Sequence, residues 1–416
     1  MDKRLPVWKN TIFNVAGALV YAVCQWLMTV LVVRLSSVED GGTLSLAMAA
    51  TNVFFTLATF GLRDYQVSDT GEFSPSEYFS TRLITCAVSS LACAAFVLLS
   101  GRYTGRQAAC ILLYMVYRIS EAVCDSLQAM QQKAERMDYS CVSQLLRGLG
   151  LLAAFALLLS WTGDLLLAVA GVAAVSCAVV LFWDLRVSGR LAGLTAVLRP
   201  GRSAQILRRC YPLMLNSLLL TFMVSFPRDT LERLCGEYAL GIYASVAAPT
   251  VIVQSAAMWL YAPMIPGYAR TYEARDAKAF FRLYLSFAGV IAAAAAAAVL
   301  AGKYLGAWGL SLIFPSEVAA RADLLVPVLW TTILIALCYY FSAVLTVARR
   351  LRIILISNAC GALTVLLLAR RLIAEHAMEG VNLTIYAGMG INAAIMGVAL
   401  HAVLLRRFFG RGEGRA

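Results

Sequence analysis

Apolar stretches long enough to cross a bilayer recur from one end of the chain to the other, separated by short polar segments. A spanning helix needs about 20 predominantly apolar residues. That criterion predicts twelve helices, over 11–34, 42–61, 78–100, 107–129, 141–161, 164–183, 211–226, 240–265, 279–301, 324–347, 352–368 and 380–405. The first run is longer than the apolar core of a secretory signal, about 7–15 residues, and no small-residue cleavage site follows it, so it reads as the first span. A soluble protein of this size would need polar helix faces and polar strand faces, and few of either occur. The pattern predicts an all-α membrane protein.

Composition agrees. The chain is 61% hydrophobic and 14% charged, whereas soluble domains lie near 45–50% and about 25%. Its net charge of +12 would suggest nucleic acid in a soluble protein. Here Lys and Arg fall mainly between the apolar runs, so nucleic acid is not an expected partner; the bilayer is. Basic residues gather in every second connection: Lys133 and Arg136; Arg186 to Arg209; Arg270 to Arg282; Arg349 to Arg352; and the tail from Arg406. Positive charge is retained on the cytoplasmic side, so the alternation predicts an even number of spans with both termini cytoplasmic. Arg370 and Arg371 are the exception. The longest connector, basic and carrying Gly189, Gly193, Pro200 and Gly201, lies near the midpoint. It predicts an N-terminal six-helix lobe (1–185), a cytoplasmic connector (186–209) and a C-terminal six-helix lobe (210–416). A short echo between 77–82 and 278–282, each an aromatic pair followed by an arginine, fits two related halves.

Enzyme and metal chemistry find little purchase. The eleven cysteines are scattered, mostly within apolar runs, with no C-x-x-C pair. His376 and His401 lack metal-ligand spacing. There is no G-x-S-x-G, P-loop or H-E-x-x-H. The chain is therefore expected to be neither an enzyme nor a holder of a metal or cofactor.

Ionisable groups at bilayer depth are expensive and mark function by default. The fourth predicted helix carries Arg118, Glu121, Asp125, Gln128 and Gln132, spaced three or four apart and hence on one face, with Tyr114 continuing the stripe. Such a face either lines a hydrated passage or locks the helix to a neighbour through an Arg118–Glu121 pair. Arg34 closes the first helix, as a snorkelling residue or a cavity residue. Asn14 and Gln25 share one side of that helix. The segment 60–69 interleaves Arg63, Asp64, Gln66 and Asp69 with aromatic residues just past a glycine. It reads as a re-entrant or gating loop, or as an ordinary capped turn. Phe226-Pro227-Arg228-Asp229 predicts the end of the seventh helix at a proline. There Arg228 either offers a phosphate-binding fork or pairs with Asp229 or Glu232.

Several of these segments, taken together, resemble the polysaccharide-transport family, the flippases for lipid-linked oligosaccharides. That family belongs to the superfamily of multidrug, oligosaccharidyl-lipid and polysaccharide exporters. The resemblance rests on 60–69, Arg118-Ile119-Ser120-Glu121 with Asp125, Gln131, Arg136-Met137-Asp138, Arg147-Gly148, Phe226-Pro227-Arg228-Asp229 and Gly241-Ile242-Tyr243-Ala244. It implies two six-helix lobes around a central cationic cavity. It also implies a cargo of oligosaccharide on undecaprenyl pyrophosphate, moved across the cytoplasmic (inner) membrane by alternating access during surface polysaccharide or lipopolysaccharide biosynthesis. Arg34, Arg118, Arg147 and Arg228 then fall to substrate binding, and Glu121 and Asp125 to a coupling proton or sodium ion. The segment with Arg63, Asp64, Gln66 and Asp69 falls to gating. A polysaccharide polymerase and assembly proteins are the partners such a role would bring. The chain lacks room for the two extra helices of the lipid II flippase, and its first helix lacks the buried acid of cation-coupled drug exporters. The competing readings are a multidrug exporter of the same fold, a membrane glycosyltransferase or polymerase, and a non-transporting assembly partner.

Overall fold

The computed structural model describes residues 6–69, 72–194, 199–250 and 265–409, and these are helical almost throughout, with no strand. The helices are α1 (Val7–Leu35), α2 (Val38–Thr59), α3 (Leu62–Ser68), α4 (Pro75–Leu99), α5 (Gly105–Lys133), α6 (Met137–Thr162), α7 (Leu165–Val179) and α8 (Leu185–Ala192), the last two joined by a π-helical turn, Val180–Asp184. Then come α9 (Pro200–Ala247), α10 (Ile265–Glu273), α11 (Ala277–Ile313), α12 (Leu325–Val347) and α13 (Leu351–Phe409).

Among the described residues ten helices are long and apolar enough to span a membrane. Two of them are double. Helix α9 breaks at Gly236 (φ 83°, ψ 173°) and α13 at Ala377 (φ 48°, ψ −121°). Split at Ala377, α13 supplies two of the expected crossings; the eighth expected helix, 240–265, falls largely on 251–264, outside the described residues.

The helix ends follow local chemistry. Ser74 and Thr104 each accept a hydrogen bond from the third backbone N–H of the helix they begin, and Glu77 and Gln107 reciprocate to the cap. Two expectations are corrected. The seventh helix does not end at Pro227: it passes through Pro212 and Pro227 and stops at Gly236. Proline is tolerated inside membrane helices because neighbouring groups re-satisfy the freed backbone, whereas the positive φ at 236 suits glycine. The basic connector is not wholly a loop, since α8 and the start of α9 occupy much of it.

Compact packing divides the chain into Met1–Ser245 and Val246–Ala416. The segment 210–245, which the sequence assigns to the second lobe, therefore packs with the first unit. Arg202 Nε donates to Glu77 Oε1 at 3.1 Å, Arg209 pairs with Glu72, and Thr56 and Thr221 share a hydrogen bond of 3.0 Å. At the other end of the unit two backbones meet at glycines. A Cβ at Gly42 would stand 1.9 Å from the Glu237 carbonyl oxygen, and one at Gly241 2.0 Å from that of Val38.

Within the first unit the usual burial pattern is inverted. Helix α4 turns Val88, Leu91 and Leu98 outward and buries Thr81, Arg82, Thr85 and Ser89. That arrangement is stable only where the outside is hydrocarbon. The protein is a multi-pass membrane protein. Helix α5 is the hub of the unit, touching α2, α3, α4, α6, α7 and α8. The second unit is organised around aromatic side chains. Tyr340 donates to the Tyr284 carbonyl at 3.0 Å and meets the Tyr268 hydroxyl at 3.2 Å, while Asn392 donates to Asn358 at 2.6 Å across the two halves of α13. Its ion pairs among the described residues, Arg321–Asp323 and Arg371–Glu375, are on the surface.

The glycine contact predicts that Gly42→Ala and Gly241→Ala each lose about 1–3 kcal/mol through overpacking. Gly289→Ala, with nothing within 4 Å, should be neutral or stabilising. Thermal unfolding of the purified variants in one detergent checks the ranking.

Candidate functional site

The α5 stripe resolves into two charge clusters one helical turn apart. In the first, Arg118 Nη1 donates to Glu121 Oε2 at 2.5 Å, and Arg118 Nη2 donates to Asn52 Oδ1 on α2 at 2.7 Å. The same guanidinium lies 3.7 Å from the centre of the Phe55 ring, a geometry in which the ring face attracts the cation. Glu121 is shared. Its Oε1 faces Arg147 Nη2 of α6 at 3.5 Å and accepts from the Tyr21 hydroxyl of α1. Tyr21 and Tyr117 are joined at 2.8 Å, Gln25 donates to Tyr117 at 2.5 Å, and Arg147 Nη2 also donates to Ser176 of α7 at 3.2 Å. Groups from α1, α5 and α6 thus meet one carboxylate, and α2 and α7 join through the two arginines.

In the second cluster Asp125 lies between Arg63 of α3 and Arg82 of α4, each 2.9 Å from one of its oxygens. Arg82 is fully buried and also donates to the Ala58 carbonyl at 2.9 Å, next to Thr85 at 2.7 Å. Arg63 reaches Gln132 at 3.2 Å. Four guanidiniums therefore face two carboxylates, an excess of two positive charges on one helix face. Exposure separates their roles. Arg147 and Arg82 keep 5% and 0% of their side-chain surface, whereas Arg118 and Arg63 keep 15% and 30%. The buried pair fixes the carboxylates, and the other two guanidiniums keep part of their surface open. An arginine fork so oriented matches phosphate or carboxylate geometry. Each of the two acids expected to take a coupling ion is flanked by two guanidiniums.

The other expected site residues lie apart. Arg34 is exposed in the last turn of α1, about 20 Å along the axis from Tyr21 at 1.5 Å per residue. Arg228 is half-buried in α9, where its charge acts on the buried phenol of Tyr243. The acids offered to it by the sequence are engaged elsewhere: Asp229 pairs with Arg233 and accepts from Tyr103 at 3.3 Å, and Glu232 accepts from Gln107 at 2.7 Å. Tyr103 lies in the connection between α4 and α5, where burial, then the Asp229 charge, pushes its phenol above the usual range. The segment 60–69 forms a left-handed turn at Phe60 and Gly61 and then α3. Gln66 is buried against Ser126, and Asp69 caps the following turn, accepting from the Glu72 and Phe73 backbone N–H groups at 3.1 Å. The side chain of Asp64 lies outside the described residues.

Gln128, on the same stripe, is buried and donates to Cys124 Sγ at 3.3 Å. The sequence reading missed Tyr21, Asn52, Phe55 and Tyr117, none of which differs from ordinary helix-packing residues until the helices are assembled. It noticed Arg82 only as part of a repeat. A cation in the second turn of the predicted span 78–100 was signal enough to include it.

The model of a family described as polysaccharide biosynthesis protein matches residues 7–270. The capsular polysaccharide biosynthesis protein CapF of Staphylococcus aureus is 24% identical over 313 residues, 74% of this chain and 78% of that protein. Among solved structures, the inward-facing conformation of a MATE-family multidrug resistance transporter of the MOP superfamily superposes with a TM-score of 0.73 at 13% identity, over 92% of this chain and 95% of that one. The lipid II flippase MurJ, in an inward closed conformation, does so with a TM-score of 0.72 at 10% identity, over 95% and 90%. At these identities the structures establish a shared fold.

Removing Glu121 leaves Arg118 and the buried Arg147 without their shared carboxylate. Glu121→Ala is expected to cost about 3–5 kcal/mol, as for other broken buried pairs. In a double-mutant cycle, Glu121→Ala with Arg118→Ala should cost less than the sum of the two single changes. Unfolding in detergent or nanodiscs reads both; additivity would remove the cluster as a unit.

Proposed function

The chain belongs to the polysaccharide biosynthesis protein family, and on that premise we propose that it is a flippase for an undecaprenyl-pyrophosphate-linked oligosaccharide. It carries this cargo from the inner to the outer leaflet of the cytoplasmic membrane by alternating access. The observation that carries the reading is the charge excess on α5: four guanidiniums and two carboxylates at bilayer depth, with Arg118 and Arg63 the reachable members. A pyrophosphate or an acidic sugar is an anion, and a low-dielectric surround strengthens its attraction to fixed guanidiniums. The carboxylates matter equally. A carrier must hold its cargo strongly enough to admit it and weakly enough to release it. Glu121 and Asp125 compete with the cargo for the same forks, and Arg147 and Arg82 keep them in place.

A drug exporter of the same fold would present net negative charge to its cationic cargo. Helix α1 has no Asp or Glu between Val7 and Leu35, and the α5 cluster has the opposite sign. In this reading both termini are cytoplasmic, which the basic connections favour. Arg34 and Arg228, outside the α5 cluster, are assigned to the same cargo at other points of its path. A polysaccharide polymerase and assembly proteins would receive the exported unit.

Export of surface polysaccharide from the native host tests this. A charge-assisted bond to a phosphate is worth about 1.5–3 kcal/mol, so Arg118→Ala should reduce export at least tenfold. The lipid-linked oligosaccharide should then accumulate on the inner leaflet, with normal amounts of protein in the membrane. Arg118→Lys should fall between, because an ammonium restores charge without the planar fork. Normal export by well-inserted Arg118→Ala and Arg228→Ala variants would refute the assignment.

A further inference from the structure

One buried acid has no part in either charge cluster. Asp184 ends the π-helical turn between α7 and α8, the only π-helical segment among the described residues. That turn carries one extra residue, with the Leu185 N–H bonded to the Val180 carbonyl five residues back. An insertion of this kind rotates the following side chains and recurs at functional sites. Here Leu181 and Phe182 remain exposed and Asp184 is turned fully inward, with no accessible surface. Its Oδ2 meets the Ser143 hydroxyl at 2.9 Å and the Cys124 thiol at 3.5 Å, and its Oδ1 has no hydrogen-bond partner.

The contrast with Glu121 and Asp125 is the informative point. Each of those acids has two guanidiniums within 3.5 Å. Asp184 has no ion pair among the described residues. The titratable and charged groups facing it are the Cys124 thiol of α5 and Arg147 of α6, with the amide of Gln131 beside them. Arg147 acts on it through its field only, since its own bonds go to Ser176, Tyr21 and Glu121. A lone carboxylate out of contact with water and cations is too costly to keep charged, and such a group neutralises instead. A proton is the neutralising species; Ser143 Oγ and the Cys124 thiol both donate to Oδ2, and no cation among the described residues takes up the charge.

Polar groups continue on both sides. Gln131 donates to Ser188 at 3.1 Å and accepts from Ser140 at 2.7 Å, toward the end of α5 that precedes the 133–136 connection. In the other direction Gln128 donates to Cys124 at 3.3 Å, and Gln144 donates to Gln128 at 3.5 Å.

We propose that Asp184 is the proton-coupling site of this transporter: it is neutral while buried as here and releases its proton to cytoplasmic water when the π-turn opens. No bond other than O–H changes in the step; the proton passes from the carboxyl to water and returns from water in the next cycle. The inference rests on the transport reading for its purpose, but not for its chemistry.

Two measurements on the full-length protein separate these. In nanodiscs at neutral pH, infrared spectroscopy should show the carbonyl band of a protonated carboxyl group that is absent from Asp184→Asn and retained in Glu121→Gln. In the native host, Asp184→Asn, which keeps the volume and polarity of the neutral acid, should insert and unfold like wild type yet export polysaccharide at least tenfold less, with Asp184→Glu recovering part of the loss. Absence of the band, or its persistence in Asp184→Asn, overturns the proposal whatever the cargo. A band that behaves as expected together with full export by Asp184→Asn makes the proton structural, and overturns coupling while leaving the flippase reading intact. Failure of the wild-type protein to export any lipid-linked oligosaccharide sinks the flippase reading instead, and the coupling role with it.

Discussion

Charge at bilayer depth must be answered by opposite charge or by water, and α5 carries more of it than any other buried surface of the first unit. The answer is an arrangement in which each acid is held by two guanidiniums from different helices: Glu121 by Arg118 and Arg147, Asp125 by Arg63 and Arg82. Because the partners come from α3, α4 and α6 as well as α5, the ion pairs also fix how those helices meet. Tyr21 and Ser176 extend the same constraint to α1 and α7. The packing of the unit and the electrostatics of its polar face are one problem with one solution.

That solution leaves positive charge over. Had the cluster been neutral, stability alone would account for it. An excess of two guanidiniums in a low-dielectric surround is a cost unless an anion relieves it, and the cargo proposed above is an anion. Arg118 illustrates the compromise. Phe55, Asn52 and Glu121 hold its guanidinium in one orientation, so little freedom is lost when a ligand arrives, yet its side chain remains partly open.

The two units divide the work differently. The first concentrates charge at its centre and apolar side chains on its outside. The second uses tyrosine and asparagine contacts and keeps its ion pairs on the surface. Asp184 stands between these styles: a carboxyl buried among hydroxyl, thiol and amide groups rather than cations. A group so placed can change charge state without dismantling an ion pair, which neither Glu121 nor Asp125 can do.

The sequence by itself determined the membrane setting, the all-helical architecture and the α5 stripe. Each of these depends on spacing along one helix: apolar length for the spans, and steps of three and four for Arg118, Glu121 and Asp125. It could not determine partners. Whether Glu121 would face one cation or two depended on Arg147, far along the chain on another helix, and Asp125 drew on Arg63 and Arg82 in the same way. Pro227 looked like a helix end because its effect on a lone helix is disruptive; the surrounding bundle tolerates it, and Gly236 supplies the break. Asp184 lies just past the sixth predicted span, 164–183, where nothing in the sequence marks it for burial. Only the π-turn, which no local spacing announces, rotates it out of the surface and into the core. Contacts between helices are set by side chains distant in sequence meeting in three dimensions, and that meeting is what the tertiary structure decided.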